Sequence, residues 1–142
     1  MKILRKIPTF GFLLVLIDLF ILFGKGDLML NRLFTIKLMS GAFWLMAVGD
    51  LFVIVGLICL FIEVYKSTRT SQAEILDHIL STLVFIIFLI EFLVIKGAGT
   101  STFFILALMS LFDVIAGFTV TISTARRDVT LDPSYSQVPP KR

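Results

Sequence analysis

The sequence predicts an all-α integral membrane protein, a bundle of four transmembrane helices. Of its 142 residues 58% are hydrophobic and its mean hydropathy is +1.02, whereas soluble domains have roughly 45–50% apolar residues. Four apolar runs approach or exceed the about 20 residues that a helix needs to cross roughly 30 Å of hydrocarbon. No Lys or Arg lies inside any of these runs. The composition therefore excludes an ordinary soluble domain.

The four predicted spans define a membrane domain over residues 1–125. They lie at about residues 7–23, 39–65, 75–95 and 101–123. The first span follows a basic N-terminal stretch, so a cleaved signal peptide is the alternative interpretation. No small-x-small cleavage site precedes Gly24, and Asp18 interrupts the apolar core, which favours a retained span.

Two segments outside the spans have their own predictions. Residues 24–38 mix apolar and charged side chains, which predicts a short amphipathic segment at the outer interface. Residues 126–142 form the C-terminal tail, where Pro133, Pro139 and Pro140 stand among Ser, Gln and Tyr. This composition predicts a mostly disordered cytoplasmic tail.

The positions of the thirteen Lys and Arg residues predict the orientation in the membrane. Nine lie in the N-terminal stretch, in the loop between the second and third spans, and in the tail, whereas four lie in the other two loops. Under the positive-inside rule both termini are cytoplasmic. Basic residues that face anionic lipid account for the net charge of +3, so the charge indicates no nucleic-acid partner.

Segments of the first half resemble segments of the second. Residues 16–19 (Leu-Ile-Asp-Leu) are similar to residues 89–92 (Leu-Ile-Glu-Phe), and residues 51–56 are similar to residues 111–117. The similarity suggests two parallel helical-hairpin repeats, related by an axis along the membrane normal. The alternative is chance recurrence of Leu, Ile, Phe and Gly in apolar helices.

Each predicted span carries one acidic residue well inside it: Asp18, Asp50, Glu91 and Asp113. An ionised carboxylate in hydrocarbon costs several kcal/mol or more unless it is protonated, paired or hydrated. With about 1.5 Å of rise per residue, Asp113 is expected about 17 Å deep and Asp50 about 12–15 Å. Asp18 and Glu91 are expected roughly 6–8 Å below the outer boundary.

These four acids have two interpretations. Carboxylates that cluster without a basic partner can share protons or bind a cation, which predicts proton or cation handling by Asp113, Asp50, Glu91 and Asp18. Alternatively, each acid is protonated and bonds a hydroxyl or carbonyl of a neighbouring span, which joins the helices. Asp113 and Asp50 are the first candidates because they are the deepest.

A second polar set lies at the predicted cytoplasmic boundary and consists of Glu63, Asp77 and His78. We expect these three side chains to reach water. One His without a second His or Cys ligand is too little for a transition-metal site, so no metal is predicted.

Small and polar residues recur at helical spacing on three spans. Gly49 and Gly56 belong to a seven-residue repeat on the second span, and Gly117 lies on a fourth-span stripe with Ser110, Asp113 and Thr121. Ser81 shares a stripe of the third span with Asp77 and Glu91. The three glycines predict close helix packing, and the stripes should turn toward the bundle interior.

No phosphate loop, zinc-protease motif or catalytic triad is recognisable, so neither an enzyme nor a cofactor is predicted. Residues 81–85, 101–104, 111–121 and 126–128 resemble segments of uncharacterised four-span bacterial inner-membrane proteins. The resemblance covers about the last two-thirds of the chain. It implies an inner-membrane location and a four-span topology, and it carries no activity with it.

The sequence thus predicts a structural or accessory subunit of a membrane assembly. Its expected partners are the lipid bilayer and either further copies of the chain or another membrane protein. A proton- or cation-coupled transporter or channel, working as an oligomer, is the alternative, because four spans alone enclose little room for a solute path.

Overall fold

A computed structural model describes residues 8–23, 31–67 and 74–131, with the side chains of residues 74–77 and 124–131 outside the description. In these residues the chain forms four α-helices and one β-hairpin. The order is α1 (Thr9–Phe23), β1 (Arg32–Lys37), β2 (Phe43–Ala47), α2 (Val48–Ser67), α3 (Glu74–Val94), a short 3-10 turn (Lys96–Ala98) and α4 (Ser101–Leu131). The fold is therefore mostly helical.

Two of the described helices are long and apolar enough to cross a membrane. These are α2 over Val48–Ser67 and α4 over Ser101–Ser123, while Thr9–Phe23 and His78–Val94 are apolar but shorter. Only 22% of the α2 stretch and 39% of the α4 stretch are buried inside the protein. A core helix of a soluble protein would bury most of its apolar residues, so these exposed surfaces favour an apolar environment.

The β-hairpin replaces two sequence expectations, the amphipathic segment at residues 24–38 and the start of the second span at Met39. β1 and β2 pair antiparallel, with Ile36 opposite Trp44 and Lys37 opposite Phe43. Aromatic and β-branched residues favour such a ladder. Gly41, with φ of 84°, makes the turn. Helix α2 consequently begins at Val48, nine residues later than expected. Residues 24–30 lie outside the described residues.

Helix packing follows a simple plan. α4 lies against both α2 and α3, and α1 packs on α2 and α3. The common core is apolar, and its largest fully buried side chains include Phe10, Ile17, Phe88, Phe103 and Leu106. The Phe88 and Phe103 rings meet edge to face at 5.3 Å between centroids, an arrangement that aromatic pairs prefer.

The predicted helix-packing glycines are all buried. Gly49 and Gly56 face inward on α2, and Gly117 faces inward on α4. A Cβ at Gly56 would collide with Leu106, and a Cβ at Gly117 would collide with the His78 ring. The absence of a side chain at Gly56 and Gly117 therefore lets neighbouring helices approach closely.

The C-terminal part differs from the expectation over a few residues. α4 continues to Leu131, so residues 126–131 of the predicted tail are helical, and residues 132–142 lie outside the described residues.

The connections within the two predicted hairpin repeats differ from each other, because α1 and α2 are joined through the β-hairpin and α3 and α4 through the 3-10 turn. The parallel hairpin repeat stays a prediction.

Candidate functional site

The four predicted intramembrane acids fall into three separate places. Asp113 lies at the end of the bundle where α1 and α3 begin, and we call this the Glu63 end. Asp18 and Glu91 lie toward the opposite end, which we call the hairpin end. Asp50 lies alone at the junction of the hairpin and α2. The acids therefore do not form one site.

Asp113 belongs to a buried polar cluster at the Glu63 end. Its side chain is 7% exposed and lies close enough to interact with the side chain of Ser81 of α3, which is 8% exposed. Glu63 of α2 is equally buried and close enough for its charge to act on Asp113. Lys66 also acts on Asp113 electrostatically, and its ammonium group lies 3.6 Å from Glu63 Oε2. We call Glu63, Ser81 and Asp113 the Glu63–Asp113 cluster.

Glu63 also fastens the beginning of α1. The backbone N–H of Thr9, the first residue of α1, donates to Glu63 Oε1. The Thr9 hydroxyl donates to the carbonyl oxygen of Cys59, one turn earlier on α2, at 3.4 Å. The first N–H groups of a helix have no partner within the helix and favour a negative charge. Glu63 is therefore a tie between α1 and α2. The expectation that Glu63 reaches water is wrong, since this residue is 6% exposed.

His78 lies beside this cluster and joins α3 to α4. Its Nε2 atom lies 2.7 Å from the Thr121 hydroxyl, which itself donates to the carbonyl oxygen of Gly117 at 3.1 Å. Because a hydroxyl has one proton to donate, we infer that His78 Nε2–H donates to Thr121. The ring also stacks on Phe118 and lies against Gly117. His78 thus acts as a bond between two helices.

Asp18 and Glu91 form a carboxyl pair between α1 and α3. Their side chains lie next to each other, close enough to interact. Glu91 Oε2 is buried and accepts no hydrogen bond from the described residues. Two neighbouring carboxyls and an unbonded oxygen are what a shared proton or a bound cation would use. We call these two residues the Asp18–Glu91 pair.

An apolar layer separates the Asp18–Glu91 pair from the Glu63–Asp113 cluster. On α3, Val84 and Phe88 lie between Ser81 and Glu91, and both are buried. Phe103 and Leu106 of α4 and Leu14 of α1 belong to the same packed layer and are also buried. Among the described residues, this layer therefore places aromatic and aliphatic side chains between the two polar places.

Asp50 differs most from its expected place. It lies in the first turn of α2, is exposed, and accepts a hydrogen bond from the backbone N–H of Ala47 at 2.9 Å. A carboxylate there satisfies an N–H at the helix start and complements the positive end of the helix dipole. The predicted depth of about 12–15 Å was counted from a helix start at Met39, whereas α2 begins at Val48. Asp50 fixes the junction between hairpin and helix.

The structure shows less about the remaining predicted residues. Asp77 lies in α3, but its side chain is outside the description. Among the described residues, no three His, Cys, Asp or Glu side chains come together as a metal site. Thr9 was missed by sequence reasoning, although the unpartnered N–H groups of a first helical turn were an available signal.

Comparison with protein-family models, curated proteins and solved structures finds no match to this chain. Interpretation of the site therefore depends on its own geometry.

Proposed function

We propose that this chain is a four-span integral membrane protein with both termini in the cytoplasm, and that it serves as a structural or accessory subunit of a membrane assembly. The Glu63 end is then the cytoplasmic end, and the hairpin lies outside. The observation that carries the proposal is the use of polar groups at the Glu63 end. These polar groups join helices to each other, and a packed apolar layer lies between them and the hairpin end.

The contacts of the buried polar groups support a structural role. His78 is hydrogen-bonded to Thr121, Glu63 is hydrogen-bonded to Thr9, and Asp113 interacts with Ser81, so each contact joins two different helices. Interhelical hydrogen bonds contribute about 0.6 kcal/mol on average in membrane proteins and up to about 1.7 kcal/mol. An open channel would instead need polar groups that reach from one side of the bundle to the other.

The outer surface supports a membrane environment for all four helices. Large apolar side chains are exposed on every helix, such as Leu22 on α1, Phe61 on α2, Leu93 on α3 and Phe112 on α4. Exposed apolar surface on this scale marks contact with lipid or with another protein. Lipid covers such a surface without specificity, and a partner subunit or a second copy covers it with specificity.

The proposal is tested by isolating the protein from its native membranes in a mild detergent. We expect it to stay in the membrane after an alkaline wash and then to elute as a homo-oligomer or with a stoichiometric membrane partner. The measurement is the protein mass of the complex by light scattering, compared with 15.9 kDa for one chain. A clean monomer without a partner contradicts the accessory role, and release by the wash contradicts membrane integration.

Proton or cation transport is the second candidate, favoured by the unbonded Oε2 of Glu91 beside Asp18. If the protein transports protons, Asp113→Asn and Glu91→Gln should each abolish proton-coupled flux in reconstituted vesicles while leaving helix content unchanged. Asp50→Asn is the matched control, because Asp50 is exposed at the start of α2. Absence of flux from the parent protein contradicts transport, and equal flux from the parent and all variants contradicts a role of these carboxyls in it.

A further inference from the structure

We propose that the β-hairpin, residues Arg32–Ala47, is a lipid-binding element that inserts into the headgroup region of the membrane and recognises anionic phospholipids. This inference rests on the proposed four-span arrangement, which it extends by assigning a ligand class to the hairpin. Four observations carry it: the exposure of the hairpin, its attachment to α2, its charge and its aromatic residues.

The hairpin exposes apolar side chains on both of its faces. Ile36 and Trp44 are neighbours on one face, and Leu45 and Phe43 lie on the other. All four are between 45% and 67% exposed, and Met39 at the tip is fully exposed. An isolated two-stranded hairpin is marginally stable in water. A protein groove would cover one face, whereas the lipid interface surrounds both, so lipid is the occupant that suits this shape.

The attachment of the hairpin fixes its height relative to the membrane. Ala47, the last residue of β2, is followed directly by Val48, the first residue of α2. The Val48 N–H donates to the Asn31 carbonyl at 3.0 Å, and Asp50 accepts the Ala47 N–H, so the base of the hairpin is bonded to the helix start. If α2 spans the membrane, the hairpin begins where the helix leaves the hydrocarbon. Its strands then lie at the level of the headgroups.

The charge of the hairpin selects the kind of lipid. Within Arg32–Ala47 the two charged residues are both basic, Arg32 at the base and Lys37 near the tip, and the acidic residue that follows, Asp50, accepts the Ala47 N–H at the start of α2. The Lys37 ammonium group lies 6.0 Å from the centre of the Phe43 ring, which leaves it beside an apolar anchor. Cations combined with inserted apolar side chains are the features by which proteins bind anionic lipid surfaces.

The aromatic residues provide both an anchor and a probe. Trp44 packs edge to face against Phe34, at 6.0 Å between ring centres, and is still 46% exposed. Tryptophan is enriched at the membrane interface because its ring is apolar and its N–H is polar. It is also the one tryptophan of the chain. Its fluorescence therefore reports on the hairpin alone.

The test uses the full chain reconstituted in vesicles of phosphatidylcholine alone and of phosphatidylcholine mixed with phosphatidylglycerol. We expect Trp44 emission to be blue-shifted, quenched by phosphatidylcholine brominated near the headgroups, and protected from acrylamide, more strongly in the anionic vesicles. Replacing Arg32 and Lys37 by Gln should lower the ratio of inserted to water-exposed hairpin about fivefold for each cation. Lys96→Gln, which removes an exposed cation from the 3-10 turn, should leave Trp44 unchanged.

Three results overturn the inference. Water-like emission with full acrylamide access excludes insertion. Protection from both acrylamide and brominated lipid means that protein covers the hairpin. Equal behaviour in the two kinds of vesicle removes the anionic preference.

Failure of the proposed topology is detected separately by labelling with a membrane-impermeant maleimide in a Cys59→Ser background. Under that topology Ser101→Cys, exposed at the start of α4 and outside the hairpin, is labelled from outside and Ser71→Cys only from inside. With that pattern intact, a water-exposed Trp44 contradicts the lipid-binding role alone. If both positions label from the same side, the proposed function fails first.

Discussion

Replacing Gly56 with leucine is expected to force α2 away from α4 and to destabilise the bundle by about 1–3 kcal/mol. A Cβ at this position already collides with Leu106, and it would also lie 3.1 Å from the sulfur of Met109. Leu106 is 0% exposed and belongs to the packed core, so a shift of its side chain displaces other core residues. A net stability of 5–15 kcal/mol is typical of folded proteins, so this loss is large.

The measurement is unfolding by SDS in mixed micelles, followed by circular dichroism. Gly11→Ala is the matched control, since a Cβ there would meet Val84 at an ordinary contact distance of 3.5 Å. Alanine is favoured over glycine in helices by roughly 0.5–1 kcal/mol, so Gly11→Ala should be neutral or stabilising. A second control is the double variant Gly56→Leu with Leu106→Ala. It should be more stable than the sum of its single changes predicts, because the two side chains exchange volume.

A stable Gly56→Leu protein would contradict this packing. It would mean that α2 and α4 are separated enough in the membrane to admit a side chain. If the double variant shows no coupling, Leu106 is not the residue that the new side chain meets.

The helices of this fold could be predicted from the sequence, because a long apolar run has few alternative structures. The expected ends of the first and third apolar segments lie within two residues of those of α1 and α3, and the fourth segment begins where α4 begins but ends eight residues earlier, at 123 instead of Leu131. The start of the second helix could not be predicted in the same way. Residues 43–47, Phe-Trp-Leu-Met-Ala, are as apolar as the helix that follows, so hydropathy alone does not separate strand from helix.

Other signals could have revealed the hairpin. Aromatic residues at Phe43 and Trp44, together with Gly41 just before them, favour a strand that follows a turn. The error in the helix start also explains the error in the depth of Asp50. A residue counted from Met39 appears to lie deep in the span, whereas counted from Val48 it belongs to the first turn.

The candidate site was predictable in its residue types and only partly in its arrangement. Helical phase placed Ser81 on an interior stripe of the third span and Asp113 on one of the fourth, and the structure brings these two side chains together. Helical phase carries no information on which helices are neighbours in space. The tie between Glu63 and Thr9 joins residues that are 54 positions apart, so no local pattern could reveal it.

The second large effect is expected at Glu63. Glu63→Leu removes the acceptor of the part-buried Thr9 N–H and leaves this donor without its bond, which costs up to about 1–3 kcal/mol. The hydrogen bond from the Thr9 hydroxyl to the Cys59 carbonyl oxygen then holds the beginning of α1 without the bond to Glu63. We expect α1 to separate locally from α2 before the whole bundle unfolds.

Glu63→Gln separates hydrogen bonding from charge at this position. Glutamine keeps a carbonyl oxygen that can accept from Thr9, and it removes the negative charge. Loss of the pair with the partly exposed Lys66 costs about 0.3–0.5 kcal/mol, as is usual for ion pairs within a helix. Loss of the repulsion between Glu63 and Asp113 acts in the opposite direction. Glu63→Gln should therefore stay within about 1 kcal/mol of the parent, because these two effects oppose each other.

Cys59 provides a local measurement of the same tie. Its thiol is half-buried and lies beside Thr9, and it is the one cysteine of the chain. Maleimide labelling in detergent should be faster in Glu63→Leu than in Glu63→Gln or the parent, because separation of α1 uncovers the thiol. If Gln and Leu destabilise equally, the negative charge rather than the hydrogen bond fastens α1. If neither changes the labelling rate, Glu63 does not hold the beginning of α1, and the Glu63–Asp113 cluster must be explained by another role.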